Sequence, residues 1–162
     1  DVYKRQYYDI IGFHRDARTQ KLWIEPILLP GTDELKNAMF ISPESWGYIS
    51  YNRKDNNDTR NIEISVKTEK KMRVSTLYLT DHFTGNITVT IDGKKYPYTR
   101  TGSGYAKKIA VEWNGTITHK GIEIKLSGAP KYIHIPCPIK PDKEVLPLVL
   151  PNKMSPLSLI HI

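Results

Sequence analysis

The chain has 162 residues, of which 39% are hydrophobic and 25% charged, and a formal net charge of +7. That is length for one ordinary domain with a real core, in a composition typical of globular chains. No apolar run approaches the ~20 residues of a membrane-spanning helix, and the single cysteine, Cys137, excludes an internal disulfide or a multi-cysteine zinc site.

The two ends mirror each other at the DNA level. The codons CTG TCT CTT ATA CAC ATC encode Leu157 to Ile162, and their reverse complement encodes Asp1 to Gln6. That duplex resembles the transposon end used to fragment DNA for sequencing. Residues 1–6 and 157–162 are therefore expected to be adapter-derived, and residues 7–156 to be a piece of a longer bacterial protein. Removing Asp1, Lys4 and Arg5 leaves a net charge of +6.

Tyr7 to Gly12 reads as the last turn of a helix, with Gly12 ending it. From there on, apolar residues alternate with polar ones at short intervals, the period of half-buried strands. Leu22, Ile24 and Ile27 mark one strand. Met39-Phe40-Ile41 and Trp46-Gly47-Tyr48-Ile49 mark two more, split by the turn Ser42-Pro43-Glu44-Ser45. After the polar loop Asp55-Asn56-Asn57-Asp58 come Ile62, Ile64 and Val66, then Val74, Leu77 and Leu79 with one slip, then Ile87, Val89 and Ile91. Ile109, Val111 and Trp113 follow, and Ile122, Ile124 and Leu126 close the series. Asp92-Gly93 predicts a hairpin turn, and Asn114-Gly115 predicts a second. Thr101-Gly102-Ser103-Gly104 reads as a flexible loop. Beyond Gly128 the composition changes, since seven of the 11 prolines lie between Pro130 and Pro156 and proline cannot donate to a strand ladder. The expected fold class is all-β, an antiparallel β-sandwich of roughly eight strands preceded by the end of a helix. The expected divisions are 7–51, 52–129 for the sandwich domain, and a loose proline-rich tail at 130–156.

Chemistry is sparse. The 16 carboxylates left after Asp1 show no pair that stands out for glycoside hydrolysis, and Glu63 and Glu123 alternate with apolar positions, so they should face water. His14, His82, His119, His134 and His161 lie far apart and form no metal-binding spacing. Catalytic residues, metal ligands and cofactors are all expected to be none. Lysines fall singly or in pairs between apolar residues, the pattern of solvated strand faces and protected edges, so no nucleic-acid partner and no membrane partner is expected. The N-x-[ST] triplets at Asn57, Asn86 and Asn114 are read as chance. Trp23 and Trp113 lie in apolar strand segments and are expected to pack in or beside the core. Trp46 follows a turn, and it is the one candidate for contact with a sugar.

A resemblance gathers several of these segments. Ile11-Gly12-Phe13-His14-Arg15-Asp16-Ala17, then Gln20-Lys21-Leu22-Trp23-Ile24-Glu25-Pro26, then Phe40 to Tyr48 with its Trp46-Gly47 pair, resemble the end of family 116-like glycoside hydrolases. These form the β-glucosidase and glucosylceramidase group, built on an (α/α)6 barrel. The resemblance covers roughly residues 9 to 51. It implies that residues 7–51 are the tail of a catalytic-domain region, and that the carboxylates acting on β-glycosides lie upstream. It implies a barrel domain of the same chain as partner, with Phe13, Trp23, Phe40 and Trp46 as the large side chains available to meet it. The chain itself would be a non-catalytic C-terminal β-domain. The rival from another class is a stand-alone carbohydrate-binding or adhesion module, with carbohydrate as partner. The compartment stays open; for such a parent the expectation is the bacterial periplasm or exterior.

Overall fold

The computed structural model describes residues 10–28 and 31–131, and of Tyr105 the backbone alone. The expectations for residues 1–6, the turn at Tyr7 to Asp9, nearly all of the proline-rich tail with Cys137 and His134, and residues 157–162 lie outside the described residues.

The described chain forms eleven strands in two sheets. They are β1 (Phe13–Asp16), β2 (Lys21–Ile24), β3 (Glu34–Ile41), β4 (Trp46–Asp55), β5 (Arg60–Thr68), β6 (Met72–Thr80), β7 (Phe83–Ile91), β8 (Lys94–Lys95), β9 (Thr99–Thr101), β10 (Lys108–Ile117) and β11 (Ile122–Pro130). One sheet has the order β1-β2-β6-β10-β9 and the other β3-β4-β5-β11-β7-β8. The fold is all-β, as the alternation predicts. The core positions read from sequence are all buried: Ile62, Ile64, Val66, Leu77, Leu79, Val89, Ile91, Ile109, Val111, Ile124 and Leu126. Their polar neighbours Glu63 and Glu123 face water.

Four details depart from the sequence reading. First, the sheets are antiparallel except where β2 runs parallel to β6. The strands between these two, β3 to β5, belong to the other sheet, so the chain crosses over and returns in the same direction. Second, β4 runs straight through position 51, and two of the first four strands pair onward, β2 with β6 in one sheet and β4 with β5 in the other. Third, Asn114-Gly115 is a bulge inside β10. Asn114 has φ +52, and the register against β6 shifts between Glu112 and Gly115. A pair that tolerates positive φ serves a bulge as well as a turn. By contrast Asp92-Gly93, with φ +49 and +79, is the hairpin turn between β7 and β8. Fourth, Ile27 lies beyond the end of β2 and is 60% exposed.

Gly12 shows why the first motif needs glycine. It follows the helical pair Ile10-Ile11, has φ +63, and a Cβ there would sit 2.0 Å from the Glu25 carbonyl oxygen. The Gly12 carbonyl accepts the Glu25 N–H at 2.8 Å, so β1 and β2 are tied at this level. Gly12→Ala should therefore cost roughly 1–3 kcal/mol, from the strained φ and the backbone overlap together. Urea unfolding with an unchanged m-value is the check; a loss under about 0.3 kcal/mol would mean that this contact relaxes freely.

Candidate functional site

The remaining motif residues of the first 51 do structural work. Arg15, its side chain 1% exposed, pairs with Glu44 at 2.7 Å and donates to the Arg73 carbonyl at 2.6 Å. It thereby links β1, the β3–β4 turn and β6. Asp16 caps the β1–β2 turn, accepting the Arg18 N–H at 3.0 Å and the Thr19 hydroxyl at 2.5 Å, and the Thr19 bond holds its carboxyl below the usual range. Gly47 faces inward, where a Cβ would lie 1.9 Å from the Lys67 carbonyl oxygen and 2.9 Å from the Phe40 ring. With Gly47 pointing in, Trp46 and Tyr48 must point out.

The turn before Trp46 is tightly bonded. Ser42 N–H donates to the Ser45 carbonyl at 2.8 Å, Lys70 N–H donates to the Ser45 hydroxyl at 2.9 Å, and Glu69 N–H donates to the Trp46 carbonyl at 2.9 Å. Trp46 thus starts β4 from a fixed backbone. Its ring meets that of Tyr48 edge to face, with centroids 5.9 Å apart and planes at 81°. On β3, Met39 lies opposite Tyr48 and Ile41 opposite Trp46. The outer face of β3–β4 is therefore apolar: Met39 is 39% exposed, Ile41 59%, Trp46 42% and Tyr48 42%. Lys67 on β5, beside Tyr48, begins the polar border. A shallow depression of about 270 Å3, lined by Phe13, His14, Arg15, Ile41, Ser42 and Pro43, adjoins the Ile41 end.

Of the four aromatics expected at a domain contact, only Trp46 is exposed on this face. Phe13 and Phe40 are buried and stack on each other, centroids 3.7 Å apart and planes at 15°, so they hold the two sheets of this chain together. Trp23 is half-buried, but from outside. Its neighbours Leu22 and Ile24 point inward, and its ring stacks on Tyr78 at 5.0 Å and 9° on the solvent face of the first sheet. Trp113 packs against the core, its ring filling the space over Gly115. Met39, Ile41 and Tyr48 were not singled out from sequence. The available signal was that Met39-Phe40-Ile41 and Trp46 to Ile49 are apolar in both phases of a strand, which leaves apolar side chains on the outer face whichever phase is buried.

A second cluster lies at the end of the sandwich where β4 meets β5. Arg60, 5% exposed, holds Asp55 with both ends of its fork, at 2.8 and 2.6 Å, and donates to the His82 carbonyl at 3.1 Å. Asp81, 8% exposed, accepts from Arg100 at 2.8 Å and from the Phe83 N–H at 3.2 Å. Burial pushes the His82 imidazole down to about 4, and Arg60 and Arg53 add to the shift. These groups tie strand ends together. Among the described residues no three of His, Cys, Asp and Glu converge as metal ligands would.

No family model matches the chain, and no curated protein or solved structure matches it.

Proposed function

We propose that this chain is a non-catalytic β-sandwich domain of a glycoside hydrolase acting on β-glycosides, and that the outer face of β3–β4 docks on the helical barrel of the same protein. One observation carries this reading. Among the described residues the large exposed apolar side chains are Ile10, Ile27, Met39, Ile41, Trp46 and Tyr48, and every one falls in the stretch that resembles the barrel-adjoining tail. Residues 52–131 contribute none of them. Isolated exposed apolar residues are ordinary, whereas a contiguous set marks an interface. Met39, Ile41, Trp46 and Tyr48 are contiguous by register. The catalytic carboxylates of such a parent belong to the barrel, and this chain supplies packing.

The test is to recover the coding DNA upstream, express the encoded barrel, and measure its co-purification with this chain. The barrel and the chain should co-purify, and the double variant Ile41→Ser, Trp46→Ser should lose at least tenfold in affinity with its unfolding midpoint unchanged. Upstream DNA that encodes no helical barrel with paired carboxylates would end the proposal, and so would unchanged affinity of the double variant. The rival reading, a stand-alone carbohydrate-binding module, uses the same face through the rings of Trp46 and Tyr48. It requires that neutral oligosaccharides perturb Trp46 fluorescence.

A further inference from the structure

The two ends of the sandwich treat their cations differently, a feature independent of the docking reading. At the end where β4 meets β5, cations are held by carboxylates: Arg53 by Asp33 at 2.6 Å, Arg60 by Asp55 at 2.6 Å, Arg100 by Asp81 at 2.8 Å, and Lys108 by Glu25. The opposite end is built from two arches that cross between the sheets, residues 69–71 from β5 to β6 and residues 118–121 from β10 to β11. It carries Lys67, Lys70, Lys71, Arg73 and Lys120, all exposed. Among the described residues none of these five makes an ion pair.

The arches lie side by side on a fixed backbone. The Thr68 N–H donates to the Thr118 carbonyl at 3.2 Å, the Gly121 N–H donates to the same carbonyl at 2.9 Å, and the Lys70 N–H donates to the Ser45 hydroxyl at 2.9 Å. Gly121 has φ +79, and a Cβ there would lie 2.7 Å from the Lys67 Cγ. The Lys67 stem therefore lies across Gly121, beside Lys120. Arg73 sits opposite Thr116, one pair past the point where β6 and β10 leave the arches. Nearby carboxylates do not neutralise the group. Glu69 is the one carboxylate on the arches themselves. Asp92 and Glu123 border Lys120 across a depression of about 220 Å3, but the Asp92 carboxylate accepts the Glu123 N–H at 2.8 Å, and Glu123 pairs with Lys125 at 3.2 Å. Like charges held close together without counter-ions oppose folding, and a bound polyanion relieves that repulsion.

We infer that this end binds an acidic polysaccharide, a chain with a carboxylate on successive sugars. The side chains favour that class of polyanion. Four of the five cations are lysines, compact hydrated charges that suit single carboxylates, whereas the planar fork of arginine is the better match for phosphate. The arches read Glu69-Lys70-Lys71 and Thr118-His119-Lys120-Gly121. They hold no Phe, Tyr or Trp on which bases could stack, and no apolar side chain to enter a lipid surface. Neither arch forms a helix or ribbon that could enter the groove of a duplex. All five cations are exposed, so salt screens the binding, and its strength comes from several contacts made at once.

The experiment is a 1H–15N titration of the full chain at low salt with a galacturonate hexamer. Cellohexaose, duplex DNA, and vesicles of phosphatidylcholine with phosphatidylglycerol are the comparisons. The galacturonate hexamer should shift the Lys67, Lys70, Lys71 and Lys120 amides in a saturable way and leave the Arg60 and Met39 amides unmoved. Cellohexaose should shift none of them. Raising the salt to about 0.3 M should weaken the galacturonate binding at least fivefold. The double variant Lys70→Glu, Lys71→Glu should weaken it at least tenfold with the unfolding midpoint kept. Lys54→Glu, Lys107→Glu, on exposed positions at the other end, makes the same change in net charge and should leave binding within twofold. Lys120→Gln should weaken binding at least threefold, and it decides if the first double variant fails to fold. No saturable shift with the galacturonate hexamer would overturn the inference. Equal losses in the two double variants, or tighter binding of the DNA or the vesicles, would each overturn it as well. None of these outcomes bears on whether β3–β4 docks a barrel.

Discussion

Ile124→Ala should cost the fold about 2–5 kcal/mol. Ile124 is fully buried on β11, near the middle of the six-stranded sheet, opposite Ile64 of β5 on one side and Ile91 of β7 on the other. Strands on both sides fix the backbone, so the walls of the hole cannot close, and the cavity term adds to the lost transfer free energy of the side chain. Thr88→Ala, on the exposed face of the neighbouring strand β7, should stay within about 0.5 kcal/mol. Urea unfolding of both variants measures the difference. A domain of this size is ordinarily stable by only ~5–15 kcal/mol, so the first change should visibly shift the folded population. Similar losses for the two variants would mean that packing across the sheets does not dominate stability.

That contrast rests on what the sequence made readable. The strand positions read between Ile62 and Leu126 were legible because the inward residues named there are isoleucine, valine or leucine and, apart from Tyr78 and Ala110, their neighbours are polar, so only one register buries the apolar set. β1 was not legible: Phe13-His14-Arg15-Asp16 holds a single apolar residue and has no period to detect. β8, only two lysines long, has no period of its own and was placed by the Asp92-Gly93 hairpin signal alone. Asn114-Gly115 and Asp92-Gly93 carry the same local signal, and only the cross-strand partners decide which is a bulge and which a turn.

Site residues follow the same logic. Trp46 stood out because it follows the Ser42-Pro43-Glu44-Ser45 turn; its strand is apolar in both phases, and only the structure, with Gly47 and Ile49 inward, fixes its outward face. Phe13 and Phe40 lie 27 positions apart in the chain, and nothing local announces that they stack. Trp23 was ambiguous because a tryptophan between leucine and isoleucine fits either face; its partner Tyr78 comes from a parallel neighbour that only the crossover brings alongside. The Arg60 cluster was illegible for a similar reason. Arg60 and His82 are 22 positions apart, and Asp81 and Arg100 are 19 apart.

The same cluster makes the fold sensitive to acid, and lowering the pH from 7 toward 4 should cost about 3 kcal/mol through His82. The ordinary histidine value is 6.5, and in the folded chain burial, with Arg60 and Arg53 nearby, pushes it down to about 4. Above 6.5 the imidazole is neutral in both states and contributes nothing to the pH dependence. Between 6.5 and 4 the unfolded chain takes up a proton that the folded chain refuses, so stability falls with pH. Below about 4 both states are protonated at His82 and its effect levels off. The gap between 6.5 and about 4, at about 1.4 kcal/mol for each tenfold in proton affinity, sets the size. Asp55 works at lower pH. Its carboxyl is held below 3.8, first by the Arg60 hydrogen bond, so its stabilisation is lost only as pH falls beneath the His82 window. The measurement is the urea midpoint at pH 7, 6, 5 and 4.5, with the m-value constant. His82→Gln should flatten most of the slope between pH 6.5 and 4.5 and leave the stability at pH 7 little changed. An equal slope in the variant would show that the proton is taken up elsewhere and that the imidazole is free to ionise in the folded chain.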